Sequence, residues 1–140
     1  MSLEAVQQEI VDEFAIFDDW MDKYNYLIEI SNDLPEMEPK HKTEDNLIEG
    51  CQSKVWLHAE MDGDKLVFKA DSDAIITKGI IALLIRVLNE RTPAEIKNAD
   101  LHFIDDIGLK ENLSPTRSNG LLAMVNKIKA YAMAYEMKQG

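Results

Sequence analysis

Cys51 is the only cysteine in 140 residues, and it directly follows a glycine within Asp45 to Leu57, DNLIEGCQSKVWL. A thiol is a nucleophile when ionised, so its placement decides what it does. Gly50 permits a backbone turn that residues with a Cβ resist, so Gly50-Cys51-Gln52-Ser53 reads as a loop tip feeding a strand that starts near Val55. Two readings of Cys51 stay open on the residues alone. It is either a thiol presented to another molecule or a small buried hydrophobe, the usual fate of a free cysteine. An unperturbed thiol with a pKa near 8.5 is only about 3% thiolate at neutral pH, so a reactive role needs help from Lys54, a distant Arg or backbone amides. A hydrolytic or peroxidatic cysteine wants a histidine base or an arginine-rich pocket, and no neighbouring pattern supplies the histidine.

Other chemistry is thinly represented. His41, His58 and His102 are scattered, with no pair at helical or hairpin spacing, and one cysteine does not complete a zinc or iron-sulfur ligand set. No metal site and no cofactor are expected. The chain has no glycine-rich phosphate loop, no G-x-S-x-G turn and no carboxylate pair more specific than surface acids. Asn112-Leu113-Ser114 matches the glycosylation pattern, but it precedes a proline in a chain expected to stay in the cytosol.

Twenty-six acidic against fifteen basic residues give a formal charge of −11, which repels nucleic acid phosphates and anionic lipid. An acidic surface steers toward a basic patch on a partner, although solubility alone also explains it. No run approaches the ~18 apolar residues of a membrane span. The start, MSLEAVQQEIVDEF, lacks the basic and apolar regions of a signal peptide, so the expected compartment is the cytoplasm, without an internal disulfide.

The elements that must position the cysteine are legible in order. Leu3, Val6, Ile10, Phe14, Phe17, Met21, Tyr24 and Ile28 form a helical stripe with a break near Asp18-Asp19. Asn32 to Lys42, with Pro35 and Pro39, reads as an irregular connection. Val55, Leu57, Ala59 and Met61 alternate along a strand, Asp62-Gly63 signals a tight hairpin, and the return strand runs from about Lys65 to Ala70. Asp71-Ser72-Asp73 supplies caps for a central helix carrying Ile75, Ile76, Gly79, Ile80, Leu83, Leu84, Val87 and Leu88. Gly79 on that apolar face predicts close approach by a neighbouring backbone. Thr92-Pro93-Ala94-Glu95 has the form of a capping box for a short helix ending near Asn98. Leu101, Phe103 and Ile104 are read as a third, short strand, and Ser114-Pro115 starts a last helix with Leu121, Met124, Val125, Ile128, Ala132 and Tyr135 as its stripe. The expected fold is α+β, a small, mainly antiparallel three-stranded sheet with helices packed on one face, in a single domain over 1–140.

Three blocks together carry a resemblance: GCQSKVW at Gly50 to Trp56, DSDAIITKGIIALL at Asp71 to Leu84, and LSPTRSNGLLAM at Leu113 to Met124. In order and spacing, with Tyr24, Leu27 and Leu34-Pro35 upstream, the chain resembles the SufE family, which is similar in fold to IscU-type scaffolds. The resemblance implies a sulfur acceptor and activator for a SufS-type, pyridoxal-phosphate-dependent cysteine desulfurase. Cys51 matches the family's acceptor cysteine, which would carry sulfur as a persulfide to a SufBCD-type scaffold. It also implies a loop whose cysteine turns into a shielded apolar pocket, with Trp56 and the central helix as expected walls. Gly50, Gln52, Asp71, Asp73 and Arg117 fall in the family's motif positions as candidates for partner binding or loop support. Simpler roles stand beside these: Asp71 or Ser72 as a helix cap, Arg117 as a structural ion pair or carbonyl contact. The protein itself is then an accessory rather than a self-sufficient enzyme, and a homodimer is left open. Two other functions compete, a non-catalytic adaptor with an inert cysteine and an IscU-type cluster scaffold, for which one cysteine supplies too few ligands.

Overall fold

Asp19 divides the N-terminal apolar stripe into two helices in the computed structural model, which describes residues 1–139. Its carboxylate accepts from the Asp22 N–H at 2.9 Å, so a fresh N-cap separates α1 (Leu3–Phe14) from α2 (Trp20–Ser31). The break also shifts the phase of the stripe. Val6, Ile10 and Phe14 are buried as their spacing predicts, but α2 turns Leu27 and Ile30 inward and leaves Met21 69% exposed.

β1 (Val55–Asp62) and β2 (Lys65–Ser72) pair antiparallel, with Asp62 opposite Lys65. The two-residue turn is therefore Gly63-Asp64, one position later than the Asp62-Gly63 pair suggests. Val55, Leu57, Ala59, Leu66, Phe68 and Ala70 are buried. They line the face toward α3 (Ile75–Leu88), which belongs to the same apolar cluster. Helices on one face and an antiparallel sheet agree with expectation, but among the described residues the sheet has two strands rather than three.

The segment read as a third strand is helical. After α4 (Pro93–Lys97), which begins with the expected Thr92–Glu95 capping box, Phe103 opens α5 (Phe103–Asp106). Phe103, Ile104 and Ile107 are all buried, and that i, i+1, i+4 spacing is one helical face which strand alternation would split. Gln7 of α1, fully buried, reinforces the turn: its amide donates to the Asp100 carbonyl at 3.0 Å and accepts from the Phe103 N–H at 3.1 Å. The sheet is instead flanked by single bridges, Leu47 to Trp56 and Leu66 to Arg91. α6 (Leu109–Asn112) leads into α7 (Pro115–Gln139). Tyr131 and Tyr135 of α7 donate their hydroxyls to the Leu57 and Ala59 carbonyls at 3.3 and 3.1 Å, satisfying the outer edge of β1.

α3 is the element on which the others stack. Gly79 allows α2 to press its backbone onto it, because a Cβ built there would stand 2.4 Å from the Leu27 carbonyl oxygen. Arg86, further along α3, holds α1 through Glu13 at 2.5 and 2.9 Å and Glu9 at 2.5 Å, and Tyr26 of α2 donates to Glu13 as well. The hydrogen bond from Arg86 outweighs burial and, with that from Tyr26, holds the Glu13 carboxyl below its ordinary range.

Gly79→Ala gains up to about 1 kcal/mol of helix propensity but collides with backbone that cannot swing aside, so a net loss of about 1–3 kcal/mol is expected, read as a lower urea midpoint at unchanged slope. Because the Glu13 pKa is depressed in the folded state, its contribution is present above the unfolded carboxyl pKa and disappears as pH falls through the folded value. Glu13→Gln is therefore expected to cost about 1–2 kcal/mol at neutral pH and much less under acid, measured by denaturant titration at both.

Candidate functional site

The loop carrying Cys51 is pinned at its stem by backbone and side-chain bonds and touches α7 at its tip. The Ile48 N–H donates to the Val55 carbonyl at 2.8 Å, which closes the excursion from Glu49 to Lys54. Asp73 Oδ1 accepts from the Lys54 N–H at 3.0 Å, and Ser72 Oγ donates to the Lys54 carbonyl at 2.8 Å. Asp73 thus supports the loop rather than capping α3, whose N-cap is Ala74 without a side-chain bond. At the tip, Gly50 has φ +92°, a backbone angle that L side chains rarely adopt.

That turn lays Cys51 against the first part of α7. Its thiol is half-buried and points at the Gly120 carbonyl, 3.6 Å away. Removal from water disfavours the charged thiolate, so burial pushes the Cys51 pKa above that of an ordinary thiol. The resting side chain is a protonated thiol at neutral pH.

Beside the sulfur opens a cavity of about 380 Å³ between the N-terminal ends of α3 and α7. Cys51, Gln52 and Ser53 form one wall, Asp73, Ala74, Thr77 and Ile80 a second, and Thr116, Arg117, Gly120 and Met124 a third. Ser53 and Thr77 share a hydroxyl hydrogen bond of 3.3 Å. Arg117 is exposed, and among the described residues it has no carboxylate within 4.0 Å, so the structural ion pair considered for it is not made. Its guanidinium lines the same cavity as Cys51 without a carboxylate partner among the described residues.

The remaining expectations divide. Gly50, Cys51, Gln52, Asp73 and Arg117 come together at this loop and cavity. Asp71 does not: it is buried on the other side of the sheet, bonded to Lys42 at 2.8 Å and Lys78 at 3.4 Å. Burial alone would raise its pKa, but Lys42, the Ser72 N–H and Lys78 outweigh it and hold the carboxyl low. Trp56, expected as a cavity wall, is not one. Strand alternation puts Val55 and Leu57 in the core, so Trp56 faces away, with Lys42 over its ring at 5.5 Å. Thr77, Thr116 and Gly120 were not singled out in the sequence, and Met124 was read only as part of the last helix's apolar stripe, although each lies inside one of the three distinctive blocks.

Comparison with known proteins bears on the same three blocks. The family model for SufE, the Fe-S metabolism associated domain, matches residues 8–132. The chain belongs to the SufE family. SufE-like relatives agree with this: an uncharacterized SufE-like protein of Rhizobium meliloti is 40% identical over 129 residues, covering 89% of this chain and 92% of its own. Another, from Rhizobium etli, is 40% identical over 133 residues, covering 91% and 90%. The solution structure of a hypothetical protein from Thermus thermophilus has the same fold at a TM-score of 0.75, with 21% identity and coverage of 92% of this chain and 94% of that one. This SufE family member has, among its described residues, no helix long and apolar enough to cross a membrane.

The raised thiol pKa has a measurable consequence. Iodoacetamide reacts with thiolate, so the alkylation rate of Cys51 is expected to be below that of free cysteine at neutral pH and to rise with a midpoint above about 8.5. In urea sufficient to unfold the chain the midpoint returns to the ordinary value. A midpoint at or below it in the folded protein would contradict the desolvated geometry.

Proposed function

We propose that this protein is the sulfur acceptor and activator of a SufS-type cysteine desulfurase, working as one SufE-like domain in the cytoplasm. The observation that carries the reading is the meeting of three blocks far apart in sequence around one cavity with the chain's single thiol on its edge. A structural cysteine has no need of such a cavity, nor of an unpaired cation in its lining.

The chemistry is a thiolate exchange. The Cys51 thiolate attacks the outer sulfur of the desulfurase persulfide, a new S–S bond forms at Cys51, and the donor's own S–S bond breaks with its electron pair leaving on the donor thiolate. No outside oxidant is needed, because the sulfane sulfur arrives already oxidised. Relieved of its sulfur, the desulfurase turns over again. The persulfide on Cys51 then passes its outer sulfur to a SufBCD-type scaffold.

The resting geometry suits storage better than attack. Tucked against Gly120, the thiol is protonated and shielded. Movement of the tip on docking removes the desolvation and brings the sulfur under the field of Arg117, two changes that both favour the thiolate. Gly50 lets the tip rotate, Asp73 keeps the stem in register and Gln52 forms part of the contact surface, while Asp71 supports the preceding segment.

The test is intact-protein mass spectrometry after incubation with a SufS-type desulfurase and cysteine. Wild type is expected to gain about 32 Da per sulfur, removable by a reductant, and Cys51→Ser to gain nothing. Cys51→Ser should also lose all stimulation of the desulfurase. Stimulation that survives the substitution would identify a non-catalytic adaptor instead.

A further inference from the structure

His41 and His58, unrelated in sequence, stack ring on ring with centroids 3.9 Å apart and planes 20° from parallel. His58 lies on the outer face of β1, and His41 ends the short 3-10 turn Pro39–His41 in the strap between α2 and β1. Upstream the strap is anchored by Met37, which is 2% exposed, and by Leu34 against the core, so the stretch from His41 to Asn46 is its less tightly held part. Asn46 donates to the His41 carbonyl at 2.7 Å, and Lys42 reaches Asp71 and the Trp56 ring. Directly after it, Leu47 bridges Trp56 and Ile48 closes the stem of the Cys51 loop.

We propose that the stacked histidines are an acid-released clasp, holding the strap to the sheet when at least one ring is neutral and letting it go when both are protonated. The charges around the pair set this behaviour. Lys69 sits opposite His58 across the hairpin, and Glu60 lies 3.8 Å from His58 and 3.9 Å from Lys69. On the strap, Lys40 pairs with Glu38 at 3.2 Å, and beyond it Lys42 and Lys78 share Asp71. With both rings neutral these lysines and carboxylates largely offset one another. One proton on the stack is tolerated, because an imidazolium over a neutral ring is attractive and Glu60 stands near. A second proton places two cations face to face, and every nearby carboxylate already serves a lysine. Burial, His58 and Lys40 hold the His41 pKa below the ordinary histidine range, which puts release on the acid side of neutrality.

Release acts on the cysteine loop through the chain itself. Once His41 lifts, the segment between buried Met37 and buried Ile48 hangs on Lys42, and the Leu47 and Ile48 bonds at the loop stem lose part of the support of the segment that feeds them. This goes beyond the sulfur-acceptor role and holds whether or not Cys51 carries sulfur.

Trp56 reports on the strap, and a Trp20→Phe background makes it the sole tryptophan. Acrylamide quenching is expected to rise about twofold as pH falls from about 7.5 to about 5.0, with a midpoint below about 6.5. His58→Phe keeps a ring to stack on but removes the second charge, so its quenching is expected to stay low throughout. A flat wild-type profile would overturn the clasp, as would the same transition in His58→Phe. Amide exchange over 49–54, compared at matched pH so that intrinsic rates cancel, should be about threefold faster in wild type than in His58→Phe under acid. Equal exchange would overturn the link to the loop. Circular dichroism of both proteins at each pH keeps global unfolding separate from either outcome.

Discussion

Everything in this fold answers to the burial of α3. From Gly79 to Ile85 every residue of that helix is buried, so it has no solvated side to yield. α2 meets it at backbone distance over Gly79, β2 covers another flank, α7 a third, and α1 is tied to it through Arg86. A helix enclosed in this way cannot shift by a fraction of a turn without disturbing several neighbours, since close-packed interiors transmit displacement rather than absorb it. The site inherits that rigidity. One wall of the cavity is the first turn and a half of α3, which leaves the Cys51 loop as the compliant part.

The stiffness of the walls explains why the site was readable as chemistry before it was readable as geometry. The glycine before Cys51, the unusual singularity of that cysteine and the three blocks are all visible in the chain, and the blocks supply every residue that lines the cavity. What the residues could not reveal is direction. Trp56 was expected among the walls of the pocket that shields the cysteine, yet one step of strand alternation sends it to the opposite face. Asp71 lies away from the cavity for the same reason: the ladder places it directly opposite Trp56, bonded to lysines. The neighbouring Asp73, just past the end of the strand, escapes that alternation and reaches the loop.

The fold was legible where periodicity acts locally, and misread where a long-range contact decides. The hairpin, the central helix and the capping box at Thr92 are written in adjacent residues. Leu101 to Ile104 is too short for its period to be distinctive, and its helical turn is secured by Gln7, almost a whole chain away. The N-terminal stripe fails more subtly. Its residues do follow the helical period across Asp19, but the cap restarts the helix in a new orientation, so the later members of the stripe point elsewhere. The scattered histidines are a third case, since only the folding of the strap over β1 brings His41 to His58.

The Gln7 amide also bears on the order in which the molecule assembles. It ties residue 7 to residues 100 and 103, whereas the hairpin and the α2 to α3 contact join segments near in sequence. Closing a longer loop costs more chain entropy, and it is compensated only when the surrounding apolar surfaces are already in place. The Gln7 contacts are therefore the late ones of α1, closing onto an α5 already formed, whereas Tyr26 reaches Glu13 from nearby in sequence. A nascent chain emerging N-terminus first holds the Gln7 amide in waiting until most of the sequence has been made.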